Sequence, residues 1–397
     1  MSFHTQSLLA DPITTAASEV PKQRFTIDGS PELEAALHRL CEKARDAVLQ
    51  ALTPPRVEGM MLGGGYGRSE GGVLRTSRGD QPYNDLEFYV FLRGLNPLTA
   101  RKYQHILHQC GEELTVGARI DVELRAFSFP KLRRSPTSMF YYDLVMGHRW
   151  IIGDESLQQG CDHHCRAELI PLTEATRLLM NRCSGLLFSK ERLQHPFFSR
   201  QDADFVARNI AKAKLALGDV VLTAFGQYHW SCRERNRRLQ NAAIDLPWDA
   251  TLRSLHSEGV EFKLHPQQSD LSAEQLRTEH QAVSKLAREL WLWLESRRLG
   301  QNFQDIQQYV FDSSNKCPET KSLRNLLINF RTERRHLREP FRYPRERLLR
   351  SFPLLLWSWN DPPQEKLLRF LQRQLSTKAI SFTQFVDAYR SLWAQFN

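Results

Sequence analysis

The sequence predicts an α+β chain: a small mixed β-sheet with flanking helices, followed by an all-helical region. Two patterns carry that expectation. Between Met60 and Arg125 short apolar-and-polar alternations and one amphipathic stretch give the order strand, strand, helix, strand, which a small mixed sheet with flanking helices requires. From Leu172 onward apolar residues recur at spacings of three and four, the period of a helix.

Each element has its own signal. Ser30-Pro31-Glu32 is a helix start, with a capping residue, proline at the first position and an acid in the first turn. Leu33, Leu37, Leu40, Ala44 and Val48 continue it as one apolar face to about Leu52, and Pro54-Pro55 ends it. Met60 to Leu62 read as the end of a short strand. Asn96-Pro97 breaks the chain after Leu92, and Tyr103, Ile106, Cys110 and Leu114 lie at helical spacing within 98–115. Residues 119–125 alternate again as a strand. In 139–153, MFYYDLVMGHRWIIG, the pattern predicts a short helix and then a strand, with Asp143 and His148 as capping or core residues.

The stretch from Met60 to Leu92 organises the chain. Asp85 and Glu87 are two residues apart on one strand, so their side chains leave the same face roughly 7 Å apart, while Leu86, Phe88 and Val90 face the core. Two carboxylates held side by side repel unless a positive partner sits between them, and a divalent cation is the simplest one. Before this strand, Gly63, Gly64, Gly65 and Gly67 allow a sharp turn whose N–H groups approach an anion such as phosphate, with Arg68, Ser69 and Glu70 on the turn. No Gly-Lys-Ser/Thr follows the glycines, and no third glycine stands in register for a dinucleotide fingerprint.

A strand ending in Gly64-Gly65, followed by Asn84-Asp85-Leu86-Glu87-Phe88, resembles the DNA polymerase β-type nucleotidyltransferase superfamily, with Asn84 where the family more often has an apolar residue. The resemblance implies a third acid on a later strand. Arg119-Ile-Asp-Val-Glu-Leu-Arg125 offers Asp121 first and Glu123 second. Nineteen residues separate Gly65 from Asp85, more than the family places there, so Arg75 to Tyr83 is expected to be a loop insertion. The resemblance further implies two Mg²⁺ ions held by Asp85, Glu87 and Asp121, and a nucleoside triphosphate, with ATP as the default. Gly64 and Gly65 would bind the triphosphate, helped by Arg68 and Ser69. The reaction it implies moves a nucleoside monophosphate to a hydroxyl of a small molecule or protein, with release of pyrophosphate.

Helices are expected over Thr173–Phe188, Gln201–Tyr228 and Ser272–Leu299, and a loop over Glu261–Asp270. The segment Arg208-Asn-Ile-Ala-Lys-Ala-Lys-Leu-Ala-Leu-Gly-Asp219 resembles the helical domain that follows the catalytic domain in many bacterial nucleotidyltransferases, where a lysine reaches back to the triphosphate. By position Lys212 is that candidate, with Lys214 behind it. The expected organisation is a tail over 1–24, a catalytic domain over 25–155, a helical domain completing the nucleotide cleft over 156–245, and a C-terminal helical domain over 246–397.

The composition is that of an ordinary soluble protein. Seven scattered cysteines, an odd number, argue for reduced thiols in the cytoplasm. No apolar run approaches the ~20 residues that span a bilayer, and the first residues lack the apolar core of a secretory signal. Cys161-Asp-His-His-Cys165 lacks the second ligand pair of a structural zinc site and reads as a loop. A net charge of +9 permits polyanion binding. Arg331 to Arg350 interleaves arginines with Phe341 and Tyr343, a pattern able to grip single-stranded nucleic acid. Within it, Arg331-x4-His336 resembles the motif of the helical HEPN ribonucleases. The alternative expectation is therefore a helical nucleic-acid-binding or RNA-cleaving protein whose N-terminal domain senses nucleotide.

Overall fold

A computed structural model describes residues 24–118, 120–332, 339–360 and 362–396. The expected N-terminal tail up to residue 23, and His336 of the arginine–histidine spacing, lie outside the described residues.

The first helix, α1 (Pro31–Ala51), starts where its signals place it. Ser30 accepts a hydrogen bond from the Leu33 amide, and Leu33, Leu37, Cys41, Ala44 and Val48 form its buried stripe. After it come β1 (Val57–Leu62), the single turn α2 (Gly64–Gly67), β2 (Val73–Thr76), β3 (Gly79–Pro82), β4 (Leu86–Leu92), α3 (Pro97–Ala118) and β5 (Val122–Phe127). Two short helices, α4 (Phe129–Arg134) and α5 (Met139–Met146), lead to β6 (Arg149–Ile152).

Four strands form a mixed sheet in the order β5-β4-β1-β6, with β1 antiparallel to both β4 and β6 and β4 parallel to β5. The parallel pair is connected through α3, which packs on β5. Both faces of β4 are covered. Leu86, Phe88, Val90 and Leu92 share one apolar cluster with Leu33, Leu37 and Val48 of α1 and Leu107 of α3. Tyr89 and Phe91 join a second cluster with Phe129, Leu132 and Leu144 from α4 and α5. Glu87 is therefore the polar start of a face that turns apolar two residues later.

Several boundaries differ from expectation; the helix expected over Thr173–Phe188 runs on to Leu193, and the one expected over Gln201–Tyr228 ends at Ala224. The polar run Arg75 to Tyr83 is not a plain loop: β2 and β3 pair as a hairpin, Thr76 opposite Gly79, and Gly79 takes the positive φ of 100° that the tight turn needs. Asp80 of this hairpin caps back onto α1 by accepting from the Ser30 amide at 2.8 Å. The third strand begins at Val122, not 119, so Asp121 lies just ahead of it. The expected loop from Glu261 is helical as far as Leu264.

The remainder is helical: α6 (Leu172–Leu193), α7 (Arg200–Ala224), α8 (Cys232–Asn241), α9 (Asp249–Leu264), α10 (Ala273–Leu299), α11 (Ile306–Phe311), α12 (Ser322–Thr332), α13 (Arg345–Pro353), α14 (Glu365–Leu375) and α15 (Phe382–Phe396). Ser199 with Asp202, and Ser272 with Gln275, build reciprocal capping boxes at the starts of α7 and α10. One apolar cluster runs through this region from Ala175 to Phe396, with Trp291 and Tyr389 fully buried in it. The leucines at 354–356 pack there as a π-helical turn after Pro353. Among the described residues no helix is long and apolar enough to cross a membrane.

Candidate active site

The site forms where β1 gives way to the glycine turn. The Gly63 amide donates to the Glu87 carbonyl at 2.8 Å, which fixes the turn against the start of β4. Gly64 has φ +61°, and a Cβ there would meet the Glu87 carboxylate at 3.3 Å. This glycine is needed on both counts: an L side chain is strained in that conformation, and the space is taken by an acid. Gly67 is equally constrained, since a Cβ would approach the Leu62 carbonyl at 2.2 Å.

The acids gather by strand register. Leu86 partners Val122 and Glu87 partners Glu123 in the parallel ladder, and the Leu86 amide donates to the Asp121 carbonyl at 2.9 Å. Leu86 and Val122 point into the core together. Asp85, Glu87, Asp121 and Glu123 consequently share the opposite face, with Asp121 level with Asp85 and Glu123 level with Glu87. Burial and the Glu87 carboxylate, with Glu123 adding to them, push the pKa of Asp85 above its ordinary value. Glu87 accepts from the Tyr89 hydroxyl at 2.6 Å, and Glu123 is paired with Arg125. Asp121 is exposed, and among the described residues its side chain has no hydrogen-bond or ion-pair partner. Among the described residues, no three His, Cys, Asp or Glu side chains are drawn together closely enough to hold a metal ion. Glu87 and Glu123 are instead turned to separate neighbours.

One cation of the helical region comes within electrostatic reach of these acids. Lys212 on α7 is solvent-accessible, and burial by the surrounding chain, with Arg182 and Arg208 beside it, lowers its pKa. Asp85 opposes that shift, which puts the Lys212 ammonium within electrostatic reach of the first acid. Lys214 has a different role. It is buried and paired with Glu258 of α9 and Glu279 of α10, so it is a packing contact between helices.

Arg68 and Ser69 do not point freely into the turn as expected. Arg68 is nearly buried: it donates to the Gly64 carbonyl at 2.9 Å, to Asp143 at 3.0 Å and to the Trp230 carbonyl at 3.0 Å. A guanidinium so engaged braces the turn from behind. Ser69 has φ 61°, and its hydroxyl lies 3.5 Å from the Arg149 guanidinium.

Sequence reasoning missed the contacts behind the turn. Glu70 is buried and accepts from the Ser231 hydroxyl at 2.6 Å, the Cys232 amide at 2.8 Å and the Arg233 amide at 3.3 Å, closing the first turn of α8. Burial alone would raise its pKa, but Lys263, Ser231 and the Cys232 amide outweigh burial and lower it. Asp143, which also accepts from Tyr228 at 3.2 Å, belongs to the same junction. Its charge is matched by Arg68, and its remaining oxygen is buried without a partner. The signal that marks Glu70 is its place on the glycine turn, but its partners lie about 160 residues away and no local pattern names them.

The Cys161–Cys165 segment, expected as a loop, instead forms a short 3-10 helix over Asp162–Cys165. His163 and His164 bond the Ser135 and Leu132 carbonyls at 2.9 Å each, and all seven cysteines are free thiols. In comparison with known proteins, the chain matches no protein-family model, no curated protein and no solved structure.

Proposed function

We propose that the chain is a Mg²⁺-dependent nucleotidyltransferase that moves a nucleoside monophosphate, AMP by default, from a nucleoside triphosphate to a hydroxyl of a small molecule or protein. One observation carries this reading: four carboxylates on one sheet face, at the glycine turn, with Lys212 of α7 within electrostatic reach of the first of them.

The donor chemistry, carboxylates on one sheet face, is that of a hard divalent cation, although among the described residues the side chains are not drawn together around one point. Carboxylate oxygens are the ligands such ions take, and the pKa of Asp85, raised by burial first and then by the Glu87 and Glu123 carboxylates, marks a charge that a cation would stabilise. Asp85, Glu87 and Asp121 would hold it, with Glu123 less available because Arg125 already engages it. When bound, Mg²⁺ neutralises the triphosphate and lowers the pKa of the attacking hydroxyl.

The chain's own residues supply position and charge. The glycine turn offers backbone N–H groups of a first helical turn, which have no intrahelical partners. Lys212 meets the phosphates from the other wall. The acceptor oxygen bonds to the α-phosphorus as the bond to pyrophosphate breaks, and Asp121, exposed and unpaired among the described residues, is suited to receive the hydroxyl proton. The test is Mg²⁺-dependent transfer of label from an α-labelled nucleotide into acceptors present in cell-extract fractions. Transfer by wild-type protein that survives in an Asp85→Asn, Glu87→Gln double variant refutes the proposal.

A further inference from the structure

Two walls that must hold one phosphate chain between them need a fixed spacing, and the junction behind the glycine turn supplies a physical means. The Glu70 amide donates to the Gly65 carbonyl at 2.9 Å, so this residue belongs to the turn itself. Its carboxylate, 4% exposed, holds Ser231, the cap of α8, and the first two residues of that helix. Four residues into that helix, Arg235 donates to Asp219 of α7 at 2.6 Å, with both side chains buried. His256 of α9 closes on the same Asp219 oxygen at 3.1 Å. Asp219 lies seven residues, about two turns, after Lys212 on one uninterrupted helix. A continuous line of hydrogen bonds and helix therefore runs from the glycine turn to the lysine that faces Asp85.

We propose that Glu70 is a positioning residue: by clasping the N-terminus of α8 it sets α7, and with it Lys212, at the distance from the glycine turn that a triphosphate requires. The inference rests on the nucleotidyltransferase reading for its ligand, but the clasp itself is a property of the fold. A charged acceptor suits the task because a carboxylate at a helix N-terminus meets both unpaired amides and the positive end of the helix. Arg68 acts in parallel on the loop just before α8, through the Trp230 carbonyl and the Asp143–Tyr228 contact.

The experiment measures binding of magnesium tripolyphosphate, a probe without a base, to full-length protein by titration calorimetry. Glu70→Gln and Ser231→Ala each open the clasp from one side. Each is expected to weaken binding about tenfold, a typical size for coupling carried through a packed network. In Lys212→Gln, adding Glu70→Gln should cost little more, since the clasp works through Lys212. Ser272→Ala, which removes the cap of α10 at a distance from the cleft, serves as the control for general destabilisation and should bind as wild type. Undiminished binding by Glu70→Gln, or losses for Glu70→Gln and Lys212→Gln that multiply in full, overturns the proposal.

Amide hydrogen exchange without ligand reads the clasp separately. Residues 231–235 should exchange faster in Glu70→Gln, and unchanged exchange overturns the clasp whatever reaction the chain performs. If exchange rises as expected but wild-type protein binds neither tripolyphosphate nor any nucleoside triphosphate, the positioning role falls together with the transferase reading. That outcome is distinct from one in which wild type binds and the clasp variants bind equally well.

Discussion

Glu87 and Glu123 are direct partners across the parallel β4–β5 ladder, and each carboxylate is held by a neighbour two residues along its own strand, Tyr89 and Arg125. Asp85 and Asp121 stand one step earlier, at the open ends of the same strands. Burial first, then the Glu87 carboxylate and more weakly Glu123, raise the pKa of Asp85. A carboxylate whose folded pKa is raised contributes stability that is fully present below its unfolded value and is lost as pH rises through the folded value. Divalent cation should restore what is lost. Mg²⁺ or Mn²⁺ is expected to raise the melting temperature more at pH 8 than at pH 5, and Asp85→Asn should abolish most of that difference. Differential scanning fluorimetry across pH, with and without the ion, reads this directly. For activity, Asp85→Asn or Glu87→Gln should cost about a thousandfold or more, as losing a charge clamp of several kcal/mol implies.

Asp121 and Glu123 should separate cleanly. Glu123 is already neutralised by Arg125, whereas Asp121 is exposed beside Asp85 and unpaired among the described residues. Asp121→Asn is expected to match Asp85→Asn in its loss of transfer. Glu123→Gln should fall within about tenfold of wild type, the lower end of what an outer partner of a metal ligand costs. The reverse order in a side-by-side transfer assay would reassign the third acid.

Lys212 is one of three crowded cations, and its lowered pKa reflects burial and then repulsion by Arg182 and Arg208. Replacing it with Gln removes repulsion in the free protein, so the melting temperature should hold or rise. Affinity for nucleoside triphosphate should fall roughly ten- to a hundredfold, the value of one hydrogen bond to a charged group. Because a depressed lysine pKa leaves the cation weaker at alkaline pH, the affinity gap between wild type and Lys212→Gln should narrow as pH rises toward 10. A gap that stays constant across that range would count against Lys212 as the phosphate contact.

Gly64 tests the turn without touching a charge. Gly64→Ala puts a methyl group 3.3 Å from the Glu87 carboxylate in a left-handed conformation. The backbone cost is about 1–2 kcal/mol, measurable by urea denaturation. Transfer should drop further than that stability loss explains, since Glu87 must turn aside.

The helices were legible where caps and stripes coincide. Ser30 before Pro31 marks a start that the structure keeps to the residue, and the helix expected from Ser272 begins one residue later with Ser272 as its cap. The acid-bearing strand was legible because alternation survives at its start. Its later residues are apolar on both faces, as a central strand packed by helices on each side must be. The β2–β3 hairpin was not legible. Its strands are polar, half-exposed and only four residues long, and their pairing rests on a tight turn at Ser77-Arg78-Gly79 rather than on an apolar pattern. Residues 232–264 hid two helices for a similar reason. α8, CRERNRRLQN, carries little apolar surface and is held by ions: Glu70 at its start, Asp219 at Arg235 and Glu234 at Arg237 and Arg238. Arg68 misled because a cation beside a glycine turn suggests phosphate, while the half-buried Asp143 that claims it lies 75 residues on. Local patterns name a residue's face, but buried ion pairs are settled by distant partners.

The Asp219–Arg235 pair is where such a partner matters most to stability. Burial by itself would raise the pKa of Asp219, but Arg235 and His256 overcome it and hold the carboxyl below its ordinary range. A depressed carboxylate contributes stability that is present above its unfolded pKa of ~3.9 and lost as pH falls through the folded value. Arg235→Met removes the charge that does this and leaves Asp219 buried with a histidine alone. The expected cost is about 3–5 kcal/mol at neutral pH, the penalty for an uncompensated buried charge. With Arg235 gone the pKa of Asp219 rises, so the variant should lose less stability than wild type on acidification, and the two curves should converge toward pH 4. Asp219→Asn added to Arg235→Met should recover part of the loss at pH 7, because the orphaned charge is then absent. Urea denaturation of the three variants between pH 4 and 8 decides the matter. Parallel curves for wild type and Arg235→Met would mean that the pair does not set the titration of Asp219.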